Sequence, residues 1–84
     1  MMIEWAEDAW DDYLSWQQTN KAALKRIHAL IKDIQRNPFE GIGKPEPLKH
    51  HLAGFWSRRI DDEHRLVYAV EDDRLQIAQC RYHY

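Results

Sequence analysis

Three short segments of this 84-residue chain concentrate side chains capable of acid–base or phosphate chemistry. The first is Lys44-Pro45-Glu46-Pro47-Leu48-Lys49. Two prolines fix the backbone on either side of Glu46 and so aim one carboxylate. A flanking lysine can hold that carboxylate ionised, the form a general base requires. The plain alternative is a solvated loop glutamate. The second is Trp56-Ser57-Arg58-Arg59-Ile60 followed by Glu63-His64-Arg65, which puts three arginines within eight residues. A guanidinium is a planar fork that matches phosphate, and an aromatic neighbour can stack on a base. Otherwise such arginines mark only the solvated face of a sheet. The third is the run Cys80-Arg81-Tyr82-His83-Tyr84. A histidine such as His83 can act as a general acid near neutrality, although it can also be an ordinary surface residue.

Which arginine faces Arg65 depends on one turn. A two-residue turn at Asp61-Asp62 sets Arg58 directly across from Arg65, whereas one extra residue flips the strand parity and brings Arg59 there instead. Both alternatives stay open at this level. No metal site is expected, although His50, His51, His64, His83 and Cys80 supply ligand types in number. On a strand, residues 80 and 83 point to opposite faces, and adjacent His50 and His51 are poorly placed to share an ion. No zinc spacing occurs.

The elements that must position these segments read as strand, two helices, then an antiparallel sheet. Residues 1–5 are short and apolar enough for an edge strand. From 7 to 18, Ala6, Trp10, Tyr13, Leu14 and Gln17 or Trp16 recur at helical spacing. Thr19 and Asn20 can stop this helix and cap the next. From 20 to 35, Leu24, Ile27, Ile31 and Ile34 form one stripe with Leu30 beside it. Asn37 before Pro38 ends it. Residues 38–54 hold all three prolines and all three glycines, which predicts a long, stiffened loop. Strands are expected over 55–60, 63–71 and 75–82, joined by tight turns at Asp61-Asp62 and Asp72-Asp73. The fold class is therefore α+β, with two helices packed on one face of a small antiparallel sheet.

Length and charge narrow the function. A chain of 84 residues is one domain, 1–84, too small for a dinucleotide-binding fold or a large cavity. A single cysteine, Cys80, allows no intrachain disulfide and fits a reducing, cytoplasmic setting. Neither a membrane span nor a secretory signal is expected. The formal charge of −2 conceals an asymmetry. Residues 1–20 carry five acids and no lysine or arginine, whereas 21–36 carry five basic residues against Asp33. A positive face on an acidic protein is thus compatible with this total.

The loop glutamate, the Trp56–Ile60 segment, Glu63-His64-Arg65-Leu66-Val67-Tyr68 and the terminal run together resemble the YoeB family of RelE-like toxins. The resemblance spans essentially the whole chain, including the aromatic pattern Trp5, Trp10, Tyr13 and Trp16. It implies a RelE-like microbial RNase fold and a ribosome-dependent mRNA endonuclease from a type II toxin–antitoxin system. By that resemblance Glu46 is the general base, Arg65 stabilises the charged phosphorane, and His83 is the general acid. Lys49, Arg59, Glu63 and Tyr84 take the supporting roles. The partners implied are a YefM-like antitoxin, the 70S ribosome with its mRNA, and a second copy of the toxin. Promoter DNA is met only through the antitoxin complex. No cofactor is implied. The chemistry is consistent: RNA cleavage without metal needs a base for the 2′-hydroxyl, an acid for the 5′-oxygen and cations at the phosphate.

Two rivals use the same residues differently. A non-catalytic RNA- or DNA-binding regulator would need the arginines but not His83. A protein-interaction module would use the tryptophans and tyrosines as an interface and would arrest no translation.

Overall fold

Helix formation begins where the apolar period changes from two to 3.6. The computed structural model describes residues 1–82 and opens with strand β1 (Met2–Trp5), followed by helices α1 (Glu7–Thr19) and α2 (Lys21–Arg36). Asn20 serves both helices. Its backbone N–H donates to the Trp16 carbonyl at 3.0 Å, closing α1, while its side-chain oxygen accepts from Ala23 N–H at 3.1 Å, capping α2. In α2 the fully buried line runs through Ala23, Ile27, Leu30 and Ile34, with Ile31 alongside and Leu24 at its margin.

The apolar stripe expected for α1 is corrected. Ala9 and Trp16 are its buried residues, two turns apart, with Tyr13 partly covered between them. Trp10 and Leu14 stay about 40% exposed, at 43% and 40%. This helix packs on α2 and on the sheet along a narrow seam, so residues one position off the seam reach solvent.

The remaining strands are β2 (Glu46–Pro47), β3 (Trp56–Arg59), β4 (Arg65–Glu71) and β5 (Arg74–Gln79), with a 3-10 turn at His50–Leu52. The five-stranded sheet has the order β1-β5-β4-β3-β2. All neighbours are antiparallel except β1 and β5. The sheet is therefore mixed rather than purely antiparallel. A parallel neighbour needs a long connection, and the helix pair plus the meander between β1 and β5 provide one. The long loop also contains more structure than its composition implies, because Glu46 and Pro47 pair with Ser57 and Trp56. Proline is tolerated there because β2 is an edge strand.

The two turns differ. Asp72 and Asp73 both take positive φ, 52° and 58°, and join Glu71 to its partner Arg74 in the two-residue turn expected. At the other turn the Ile60 N–H donates to the His64 carbonyl at 3.0 Å, leaving three residues in the loop. The Asp61 carboxylate holds that loop by accepting the N–H groups of Glu63 at 2.9 Å and His64 at 2.7 Å. Of the two turns left open at Asp61-Asp62, the longer one is present, and it sets the parity of β3 against β4.

One face of the sheet, carrying Leu66, Tyr68, Leu75 and Ile77, packs against α1 and α2 to form the core. The opposite face is left to the segments singled out for chemistry.

Candidate functional site

Cross-strand partners share a face, so the register shows which side chains meet. Glu46 pairs with Ser57, Ser57 with Val67, and Val67 with Gln79. This row crosses four strands on the face away from the helices. Two residues along, Arg59 pairs directly with Arg65 on the same face. The open alternative is therefore decided for Arg59. From ideal strand spacings, Glu46 and Arg65 stand about 12 Å apart at Cα, a span that a glutamate and an arginine can close on one phosphate.

Glu46 and Arg59 are exposed, whereas Arg65 is only 8% exposed. The Arg65 guanidinium donates through one nitrogen to the carbonyls of Asp61 at 2.7 Å and His64 at 3.1 Å. The three-residue loop thus both sets the register and holds the arginine. Lys49 is exposed and precedes the 3-10 turn. It lines a cleft of about 540 Å³ together with Glu46, Pro47, Leu48 and the residues of the 3-10 turn, so two of the sequence-chosen residues share one cavity. Glu63 sits exposed at the loop tip, with one carboxylate oxygen 3.7 Å from His64 Nε2. His83 and Tyr84 lie outside the described residues.

Arg58, adjacent in sequence, faces the other way and has no exposure at all. Its five N–H groups are all used. Nε donates to the Tyr68 hydroxyl at 3.0 Å. One terminal nitrogen donates to Asp33 Oδ2 at 2.6 Å and the Ile42 carbonyl at 3.2 Å, and the other to the carbonyls of Asn37 at 2.8 Å and Glu40 at 2.9 Å. The guanidinium holds the Asp33 carboxyl below the usual carboxylate range, helped by the Ile42 N–H at 3.0 Å. Burial pushes the Tyr68 phenol up, against the bond from Arg58. Gly41, at φ +127°, completes the knot, since a Cβ there would overlap the Asp33 carboxylate. Arg58 therefore ties the 37–42 loop to α2 and the sheet, a few residues before Glu46. This role was missed from sequence, where an arginine reads as surface.

Cys80 is fully buried, and burial pushes its thiol up to about 12, so it is no nucleophile at neutral pH. Its carbonyl accepts the Trp16 indole N–H at 2.8 Å, fixing the end of β5 to α1. Among the described residues, no group of three or more His, Cys, Asp or Glu is placed to hold a metal ion, and no helix is long and apolar enough to cross a membrane.

The arrangement is one exposed carboxylate, one exposed lysine and an arginine pair of which Arg65 is buried, beside an arginine that is purely structural. Against this geometry the likenesses to known proteins are informative. Residues 5–84 match the profile of the YoeB-like toxin of bacterial type II toxin-antitoxin systems. Toxin YoeB of Escherichia coli is 68% identical over 84 residues, with 100% of both chains covered. Among solved structures, the YoeB dimer from Staphylococcus aureus superposes with a TM-score of 0.94 at 50% identity. The YoeB-YefM complex from the same organism superposes at 0.93 and 52%. Both cover 100% of this chain and 98% of the other. The chain belongs to the YoeB-like toxin family of bacterial type II toxin–antitoxin systems.

Proposed function

We propose that this toxin, a single domain over residues 1–84, is a ribosome-dependent mRNA endonuclease of the cytoplasm. The reading rests above all on the Arg59–Arg65 pair. Like charges directly opposite on a sheet cost about 0.2–1 kcal/mol, and an anion between them reverses that cost. The RNA phosphate is that anion. Glu46, on the same face, takes the 2′-hydroxyl proton, and the 2′-oxygen attacks phosphorus. Arg65 stabilises the charged phosphorane, with Arg59 and Lys49 adding positive field. His83 gives a proton to the departing 5′-oxygen, and Glu63 and Tyr84 support the arrangement. The products are a 2′,3′-cyclic phosphate and a 5′-hydroxyl.

Orientation explains the need for the ribosome. Holding reactants in line is worth up to about 7–11 kcal/mol, more than the exposed side chains of Glu46 and Lys49 can supply alone. The A site of the ribosome supplies it by presenting the codon. A YefM-like antitoxin silences the toxin, as the named complex of the Staphylococcus aureus relative supports, and the toxin forms a homodimer like that relative's. Promoter DNA is met only through the antitoxin complex. Induced expression of wild type beside Glu46→Ala and His83→Ala tests the reading. Translation arrest with cuts at ribosome-occupied codons is expected for wild type alone, and equal arrest by all three would refute the catalytic reading.

A further inference from the structure

The backbone N–H of Tyr82 donates to Nδ1 of His64 at 2.7 Å. An amide can only donate here, so this bond requires a bare Nδ1 and a neutral ring whose proton sits on Nε2. That nitrogen faces Glu63 Oε1 at 3.7 Å. The ring is wedged between Trp16, edge-on with centroids 4.8 Å apart, and the Tyr82 ring at 5.8 Å. The carbonyl of Tyr82 is held as well, accepting the Arg65 N–H at 3.0 Å. Tyr82 itself sits at φ +63°, a left-handed conformation that a side-chain-bearing residue keeps only where its surroundings impose it. Both polar backbone groups of Tyr82 are thus clamped.

We infer that His64 is a positioning residue for the proposed general acid: its neutral imidazole holds the Tyr82 N–H and so sets where the chain enters residue 83. This rests on the RNA-cleaving reading above. Protonation of His64 turns Nδ1 into a donor facing a donor, and the clamp opens. The charged groups around the ring come from three elements. The hairpin contributes Glu63, Asp61 and Arg65; Asp61 accepts the His64 backbone N–H, and Arg65 donates to the His64 carbonyl. The terminal segment contributes Arg81, 4.7 Å from the Tyr82 ring centroid and 5.7 Å from that of Trp16. From α1 comes Asp12, which interacts with Arg81. The reaction then needs two histidines in opposite states, His64 neutral and His83 protonated.

Two measurements decide it. In the isolated protein, NMR should show a scalar coupling across the hydrogen bond between the Tyr82 amide nitrogen and His64 Nδ1. The coupling should vanish as His64 protonates; its absence while His64 is neutral overturns the inference, whatever the protein does to RNA. Single-turnover cleavage on programmed ribosomes then compares wild type, His64→Asn and His64→Leu. Asparagine keeps an acceptor near the Nδ1 position and does not titrate there. It should cleave close to the wild-type rate. Leucine should lose about tenfold or more in rate, since small misplacements of a reacting group cost that much, at an unchanged half-saturating ribosome concentration. Leucine cleaving as well as asparagine overturns the role. Wild type failing to cut RNA overturns the proposed function instead, and the coupling alone then judges His64.

Discussion

Replacing Arg58 with methionine should unfold this protein far more readily, whereas the same change at Arg59 should leave stability almost untouched. The two arginines are adjacent, yet one is fully buried and the other exposed. Methionine at 58 leaves the Asp33 carboxylate, the Tyr68 hydroxyl and the carbonyls of Asn37, Glu40 and Ile42 without their donor. Asp33 keeps some contact with solvent, so the cost lies mainly in the acceptors left without a donor, at about 1–3 kcal/mol for each that stays buried. For a domain of this size each kcal/mol moves Tm by about 4–8 °C, so even one such group should lower it by roughly 4–24 °C. At Arg59 the change should stay within about 0.5 kcal/mol. Relief of the cross-strand repulsion from Arg65 favours a slight gain. Thermal and urea melts of the purified toxin, followed by tryptophan fluorescence, measure both. A drop of less than about 4 °C for Arg58→Met, equivalent to under 1 kcal/mol, would refute the reasoning.

Two further outcomes follow from the buried groups. Asp33 has a folded pKa below its ordinary value, so its contribution to stability is complete above the unfolded pKa and is lost as the pH falls through the folded one. Urea midpoints of wild type and Asp33→Asn should therefore differ by a constant amount at neutral pH and converge in acid below about pH 4; a gap that persists undiminished in strong acid contradicts the pairing. Cys80 should resist iodoacetamide at pH 8 in the folded protein and react fully in denaturant, because burial raises its thiol to about 12; prompt labelling of the native protein would show that the end of β5 is not packed as described.

The two helices and four of the five strands were legible because their signals are local. The run Ile27, Leu30, Ile31, Ile34 has helical period, and Asn20 is a capping residue in the right place. What was not legible depends on contacts between distant segments. An aspartate can hold a three-residue loop as readily as it can sit in a two-residue turn, so Asp61-Asp62 left the parity of Arg58 and Arg59 undetermined. The burial of Arg58 draws on five partners from residues 33–42 and 68, and no property of the Trp56–Ile60 segment announces them. The parallel placement of β1 likewise reflects where β5 ends up, not the composition of Met2–Trp5. For the site, the roles of Glu46 and Arg65 came from the family resemblance, and the register of three strands puts them on one face. The role of His64 could not be read at all, since it needs the tail to turn back at Tyr82.

In the proposed reaction this toxin cuts RNA by acid–base chemistry through its own side chains. The most direct measurement is the chemistry of the cut ends, made by single-turnover cleavage of mRNA on programmed ribosomes with wild type and Glu46→Gln. The account predicts a 2′,3′-cyclic phosphate and a 5′-hydroxyl from wild type, and a rate reduced about 10²–10⁴-fold in the variant. A 5′-phosphate product, or undiminished cleavage by Glu46→Gln, would contradict it.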